Sequence, residues 1–290
     1  MSKGVLRWIF ILLCLLVVGP IVYRLTSGLR DVDGGHAATL LLAESLPKGL
    51  LAGAVTLLAA AVAGAVGSYL FSLSTGFSCA GVILAWGAWG LGTIDAIIRR
   101  SHGAGDLPKL AAEGGVVTAA ALVMSVAMVV ISRRRQPKPI DAPGGVLGLL
   151  GEPTADKPLQ GGVIAGLVAS LIGAAIGIWV MPVITLHGQT LMTVVVAGIL
   201  AGVVGQFTAS SQGVTITPVT PTLTLLLLAV AGPVIARLMG TNEHVVELAY
   251  QQQLLPLARP VSLDWAAGAL LGTPIGIGWA GAMMDARHTP

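Results

Sequence analysis

Eight apolar runs separated by short polar segments dominate the chain. They cover about 8–23, 48–70, 77–98, 114–131, 161–183, 191–208, 219–238 and 265–284. Most approach the roughly 20 residues that cross a hydrocarbon core of about 30 Å as a helix. None shows the strict alternation of a membrane strand, so every backbone group must be satisfied within a helix. The pattern predicts an all-α fold: a polytopic transmembrane helical bundle of about eight spans, range seven to nine. Two shorter apolar stretches stand apart. Residues 37–45 are apolar enough to lie on the membrane surface. Residues 242–255 place Val245, Leu248, Ala249 and Leu255 on one face, as an interfacial helix would.

The polar punctuation divides the chain into 1–47 (first span and a polar loop), 48–131 (three spans), 132–160 (a basic, proline-rich linker), 161–240 (three spans) and 241–290 (the surface helix and last span). Arg99 and Arg100 end the third run, and Arg133, Arg134 and Arg135 end the fourth. Pro137, Pro139, Pro143, Pro153 and Pro158 exclude a continuous helix through the linker. The first run follows Lys3 and Arg7 and resembles a signal segment. No small-residue cleavage site follows it, so it is read as an uncleaved span.

Composition sharpens this picture. Apolar residues make up 55% and charged residues 10% of the 290, the mean hydropathy is +0.88, and there are 39 glycines. Ordinary globular domains carry about 25% charged residues, so a soluble reading is excluded. The net charge of +3 sits beside apolar runs, where it sets topology and touches lipid; nucleic acid is not an expected partner. Cys14 and Cys79 fall in apolar runs and are read as small buried hydrophobes, not as a disulfide or metal ligands. The expected partners are the lipid bilayer and other membrane helices, the same chain or another.

Glycines recur at four-residue spacing: Gly49 and Gly53, Gly162 and Gly166, Gly173 and Gly177, Gly198 and Gly202, and Gly268, Gly272 and Gly276. That spacing puts small residues on one helix face and marks close helix packing in lipid. Shifting 49–98 by 113 positions pairs Gly53 with Gly166, Gly64 with Gly177 and Gly92 with Gly205. Two readings stay open: an inverted repeat of three plus three spans, as in many transporters, or coincidence between glycine-rich helices. Orientation is undecided by charge. With an inside N-terminus, Lys3, Arg7, Arg133, Arg134, Arg135, Lys138, Lys157 and Arg287 lie on one side. Arg24, Arg30, Lys48, Arg99, Arg100, Lys109, Arg237 and Arg259 lie on the other. The dense 133–138 cluster favours a cytoplasmic N-terminus in the cell membrane.

Candidate chemistry is sparse. Asp95 is the carboxylate set deepest among apolar residues, and such groups mark functional sites. Arg99, four residues on, also makes it one half of an interfacial ion pair. The repeat alignment sets Thr93 and Asp95 against Gln206 and Thr208, which makes these four an intramembrane polar site or ordinary interhelical hydrogen bonds. Trp86 and Trp89 read as packing or as the wall of a ligand cavity. Asp31, Asp33 and His36 lack the remaining ligands of a calcium loop. Glu243, His244 and Glu247 read as a solvated face of the surface helix. The run Gly276, Gly278, Gly281 matches a dinucleotide fingerprint but has no strand before it. His187 is a turn residue, and Ser210 and Ser211 have no base beside them. No catalytic, metal or cofactor site is expected, and an enzyme is disfavoured. Pro182, Pro218, Pro221, Pro233 and Pro274 suggest interrupted spans, a pointer to transport sites. Residues 69–76 and the span after them resemble a short part of the oligopeptide-type transporters. This chain is far shorter than those proteins, and no residue role follows. The expected function is a permease for a small solute; the alternative is a structural or assembly subunit of a membrane complex.

Overall fold

The computed structural model describes residues 2–36, 38–101, 104–134, 145–154, 158–180 and 186–286. Pro182, Arg135 and the prolines at 137, 139 and 143 lie outside them. Eight helical segments are long and apolar enough to cross a membrane, so the chain is an integral, multi-pass membrane protein. The first span is α1 (Lys3–Leu13) and α2 (Gly19–Ser27) joined by a π-helical turn, Cys14–Val18. The others are built on α3 (Leu46–Leu70), α4 (Leu73–Trp89) with α5 (Ile94–Ser101), and α6 (Leu107–Arg133). After α7 (Val146–Leu150) and β1 (Gly151–Pro153) come α8 (Leu159–Val180) and α9 (His187–Ser211). The chain closes with β2 (Val214–Ile216), α10 (Val219–Leu238), the surface helix α11 (Asn242–Tyr250) and α12 (Ser262–Asp285).

Helix pairing repeats. In the first trio α3 packs on α4 and α6; in the second, α8 packs on α9 and α10. The third members, α6 and α10, pack on each other, and α12 lies against both second members, α4 and α9. Because each trio contains three crossings, the chain enters the second from the opposite side. The register differs from the one the sequence alignment suggested. A Cβ on Gly64 would stand 3.1 Å from Ala80, and one on Gly177 would stand 3.2 Å from Ala197. The first helices correspond at 177 − 64 = 113, but their partners at 197 − 80 = 117, one helical turn more. Gly92 and Gly205 are therefore not equivalent. Gly92 lies beyond α4 and donates its N–H to Ala38 O at 2.7 Å, whereas Gly205 lies inside α9 against Ser170 and Gly166.

The glycine faces are spent inside the bundle. A Cβ on Gly198 would meet Gly268 O at 2.9 Å, on Gly202 Thr273 O at 2.7 Å, and on Gly173 Leu200 O at 2.7 Å. Gly268, Gly272 and Gly276 rest on Val194, Val195 and Ile199 of α9. Gly162 and Gly166 receive Val214 and Ile216 of β2, and Gly49 and Gly53 receive Leu40. Small residues thus let backbones touch where no hydrophobic force separates helix from lipid.

Three local expectations differ from the structure. Residues 38–40 are buried against Gly49 and Gly53 instead of lying on the membrane surface, because the glycines leave a trough that Leu40 fills. Helices α10 and α12 run unbroken through Pro233 and Pro274. The carbonyl that Pro233 leaves without an i+4 donor, Ala229 O, lies against Gly114 of α6. The interrupted span is the third, at 90–93, between α4 and α5. Finally, two short strands pair antiparallel, Gly151 opposite Ile216 and Pro153 opposite Val214, with Gly213 at φ 72° supplying the turn after α9.

Candidate functional site: a buried carboxylate layer

Alternation of the spans sorts the polar segments to two ends. The cap end gathers 28–45, 90–106, the start of α9 and 239–262. The ribbon end gathers the N-terminus, the α3–α4 turn, the β1–β2 ribbon and the ends of α6, α9 and α12. This separates the four polar residues that the repeat alignment brought together. Thr93 is at the cap end, where its Oγ1 accepts from Ala96 N–H at 3.4 Å and caps α5. Asp95 is at the same end, 1% exposed, with Arg99 Nη2 4.0 Å from its Oδ2. Gln206 is at the ribbon end: its Oε1 accepts from Ile216 N–H at 3.1 Å and its Nε2 donates to Ser210 Oγ at 2.7 Å. Thr208 donates to Val204 O on its own helix. The four do not share a cavity. The physical reason is simple: Thr93 and Asp95 follow a helix running toward the cap end, whereas Gln206 and Thr208 close one running away from it.

The structure assembles a different set at the cap end. Glu113, 2% exposed, accepts from Leu41 N–H at 2.8 Å through Oε2 and from Ser262 O–H at 2.6 Å through Oε1. Asp264, also 2% exposed, accepts from Val261 N–H at 3.2 Å in the first turn of α12 and from the Thr190 hydroxyl of α9. Arg259, 5% exposed, donates through Nε to Leu254 O at 2.6 Å and through Nη2 to Gln252 O. Burial pulls the Arg259 pKa below the usual guanidinium value, and the nearby Asp95 carboxylate acts against that. Three buried carboxylates from three spans, with one buried arginine, thus converge on the segment 252–264. Glu113 and Arg133 are 133 − 113 = 20 residues apart on one helix, about 30 Å, which places Glu113 at the boundary of the hydrocarbon core.

None of Glu113, Arg259 and Asp264 stood out in the sequence as a site residue. Reading the spans as 114–131 and 265–284 assigned both carboxylates to loops. The helices begin earlier, at Leu107 and Ser262, because partners on other segments satisfy the charges inside the bundle.

Above this layer, Asp31 binds the loop around itself. Its Oδ1 accepts from Asp33 and Gly35 N–H, and its Oδ2 pairs with Arg100 at 2.6 Å. Burial disfavours the charged carboxyl, but these hydrogen bonds and the Arg100 charge outweigh it and hold the Asp31 pKa below the ordinary carboxylate range. His36 Nδ1 lies 3.0 Å from Arg30. On α11, Thr241 caps the helix through His244 N–H and Glu247 accepts from Gln251, while Val245 and Ala249 face inward. Among the described residues no three His, Cys, Asp or Glu side chains converge as metal ligands would. Cys14 and Cys79 are free and buried.

At the ribbon end a cleft of about 730 Å³ lies between the first trio and the β1–β2 ribbon, lined by Ser68, Ser72, Ser132, Arg133, Glu152 and Thr215 among others. Arg133 and Glu152 pair at 2.7 Å on its wall. Ser68, 2% exposed, keeps a buried hydroxyl without a hydrogen-bond partner. Trp86 and Trp89 line a separate apolar groove of about 520 Å³ with Leu15, Tyr23, Ala85 and Leu191.

Comparison with known proteins finds no similarity to lean on: no family model, no curated protein and no solved structure matches the chain.

Proposed function

We propose that the protein is a permease-type carrier for a small polar solute, not an enzyme, and that it stands here with its cap end closed and its ribbon end open. One observation carries this reading: a hydroxyl-rich cleft lies at one end, between the first three-helix unit and the β1–β2 ribbon, while three carboxylates are buried at the other. Carriers built from paired units expose a site between them to one side at a time. Ionisable groups buried at the edge of the hydrocarbon core are costly and mark functional sites. With the N-terminus in the cytoplasm of a cell-membrane protein, the cleft faces the cytoplasm. The structural-subunit reading leaned on glycine faces free to receive partner helices, and those faces meet this chain's own helices. That favours the carrier.

The test is solute-exchange in proteoliposomes. Pools of small neutral, cationic and anionic polar solutes are screened by counterflow, with Ser68→Trp as the blocked control. Counterflow of one class that Ser68→Trp abolishes, with insertion and helicity unchanged, is the expected result. Folded protein that exchanges no class overturns the proposal.

A further inference from the structure

The apolar groove at Trp86 and Trp89 is built from three spans. Leu15 and Tyr23 come from the first, Val82, Ala85, Trp86 and Trp89 from the third, and Leu191 from the sixth. The flanking first and sixth spans each pack on α4 but share no packing face with each other, so the groove opens sideways into the bilayer. Its shape is held by specific contacts. Gly19, just after the π-helical turn, receives the Trp86 indole, and Tyr23 meets that ring edge-on at 5.9 Å between centroids. Trp89, 52% exposed, stands at the cap-end mouth beside Gly188.

Length and charge identify the occupant. Tyr23 and Leu15 are 23 − 15 = 8 residues apart, about 12 Å along the helix. One leaflet's share of a hydrocarbon core of about 30 Å is about 15 Å. The groove therefore spans the hydrocarbon depth of the cap-side leaflet and stops near mid-membrane. Next to Tyr23, at headgroup level, Arg24 is exposed and has no carboxylate partner among the described residues. We propose that this groove is a binding site for one anionic phospholipid of the cap-side leaflet, an acyl chain lying along Trp86 and Trp89 and the phosphate meeting Arg24. Indole and phenol rings suit that depth, apolar at the tail and polar at the headgroup. The site does not depend on the carrier reading.

Full-length protein in nanodiscs of equal phosphatidylglycerol and phosphatidylcholine, released into detergent and weighed intact, tests it. One retained phospholipid per chain is expected, enriched in phosphatidylglycerol. Ala85→Phe fills the groove and removes the retained lipid; Leu191→Trp does the same from the other wall should the first variant fail to fold. Arg24→Gln keeps the retained lipid and lowers the phosphatidylglycerol preference about fivefold, the value of one basic residue at a membrane surface. Phosphatidylglycerol brominated on its chains quenches the wild type more than Trp86→Phe. Absence of a retained lipid, or retention unchanged in a folded groove-filled variant, overturns the site; an unchanged headgroup preference in Arg24→Gln overturns the phosphate contact.

Discussion

Two sets of glycines in the bundle serve different purposes. Between α9 and α12, and between α8 and α9, glycine brings backbone to backbone: the atoms that a new Cβ would strike are Gly268 O, Thr273 O and Leu200 O. Around α4 several glycines are instead sockets for side chains, beside the backbone contact that Gly67 and Gly76 make between α3 and α4. Gly19 receives Trp86, Gly87 receives Thr56 and Leu263, and Gly81 receives Leu271. A main chain fixed in a helix cannot step aside, whereas a side chain shifts at smaller cost. Polar closure occurs on both sides: Glu113 ties the 28–45 segment to α12, and Asp264 accepts from Thr190 between α12 and α9. Small residues thus form a rigid seam among α8, α9 and α12 and adaptable sockets around α4.

This contrast is breakable. Gly202→Ala carries the largest expected effect, since overpacking against backbone costs about 1–3 kcal/mol or more and outweighs the helix propensity gained, about 1 kcal/mol. The thermal midpoint in detergent should fall by several degrees. Next is Glu113→Ala, which strands Leu41 N–H and Ser262 O–H at about 1–3 kcal/mol for each buried group left unsatisfied. Glu113→Gln, which keeps an acceptor, should lose clearly less, and equal losses would show that the layer acts by charge alone. Gly87→Ala should cost less than Gly202→Ala, and Thr56→Ser, which removes the methyl 2.9 Å from the new Cβ, should recover part of the loss. No recovery would make the socket as stiff as the seam.

Smaller still is the pH response of the cap. A depressed Asp31 pKa means that the Asp31–Arg100 contact stabilises the fold above the unfolded carboxyl value of about 4 and is lost as pH falls below it. The pair is partly exposed, so well under 1 kcal/mol is at stake. A small loss of thermal midpoint between pH 6 and pH 3 should shrink in Asp31→Asn. The smallest effect belongs to Gly278→Ala and Gly281→Ala, where nothing lies within 4 Å of the new Cβ. Both should be neutral or slightly stabilising, and a marked loss at either would place a partner on that face.

Much of the fold was legible in the chain because lipid enforces a simple rule: a run long enough to cross must be helical. The span from 219 to 238 and the surface helix starting at 242 follow directly from hydropathy and amphipathic spacing. The candidate site was less legible. Asp95 stood out because apolar residues precede it, and it is buried, but the nearby charge of Arg259 comes from 259 − 95 = 164 positions away. Glu113 and Asp264 were hidden because trimming each span to its apolar run discards the charges that the bundle later buries.

By itself the sequence determined the helical, membrane-spanning class with seven to nine crossings and the small-residue faces, since each depends only on local composition against a slab of fixed thickness. Which glycine faces which helix, that Gln206 and Asp95 lie at opposite ends, and that one end buries three carboxylates while the other holds a cleft were decided only by tertiary structure. Those outcomes depend on which helices become neighbours, and helix pairing in lipid is set by shape and hydrogen bonding between segments far apart in the chain.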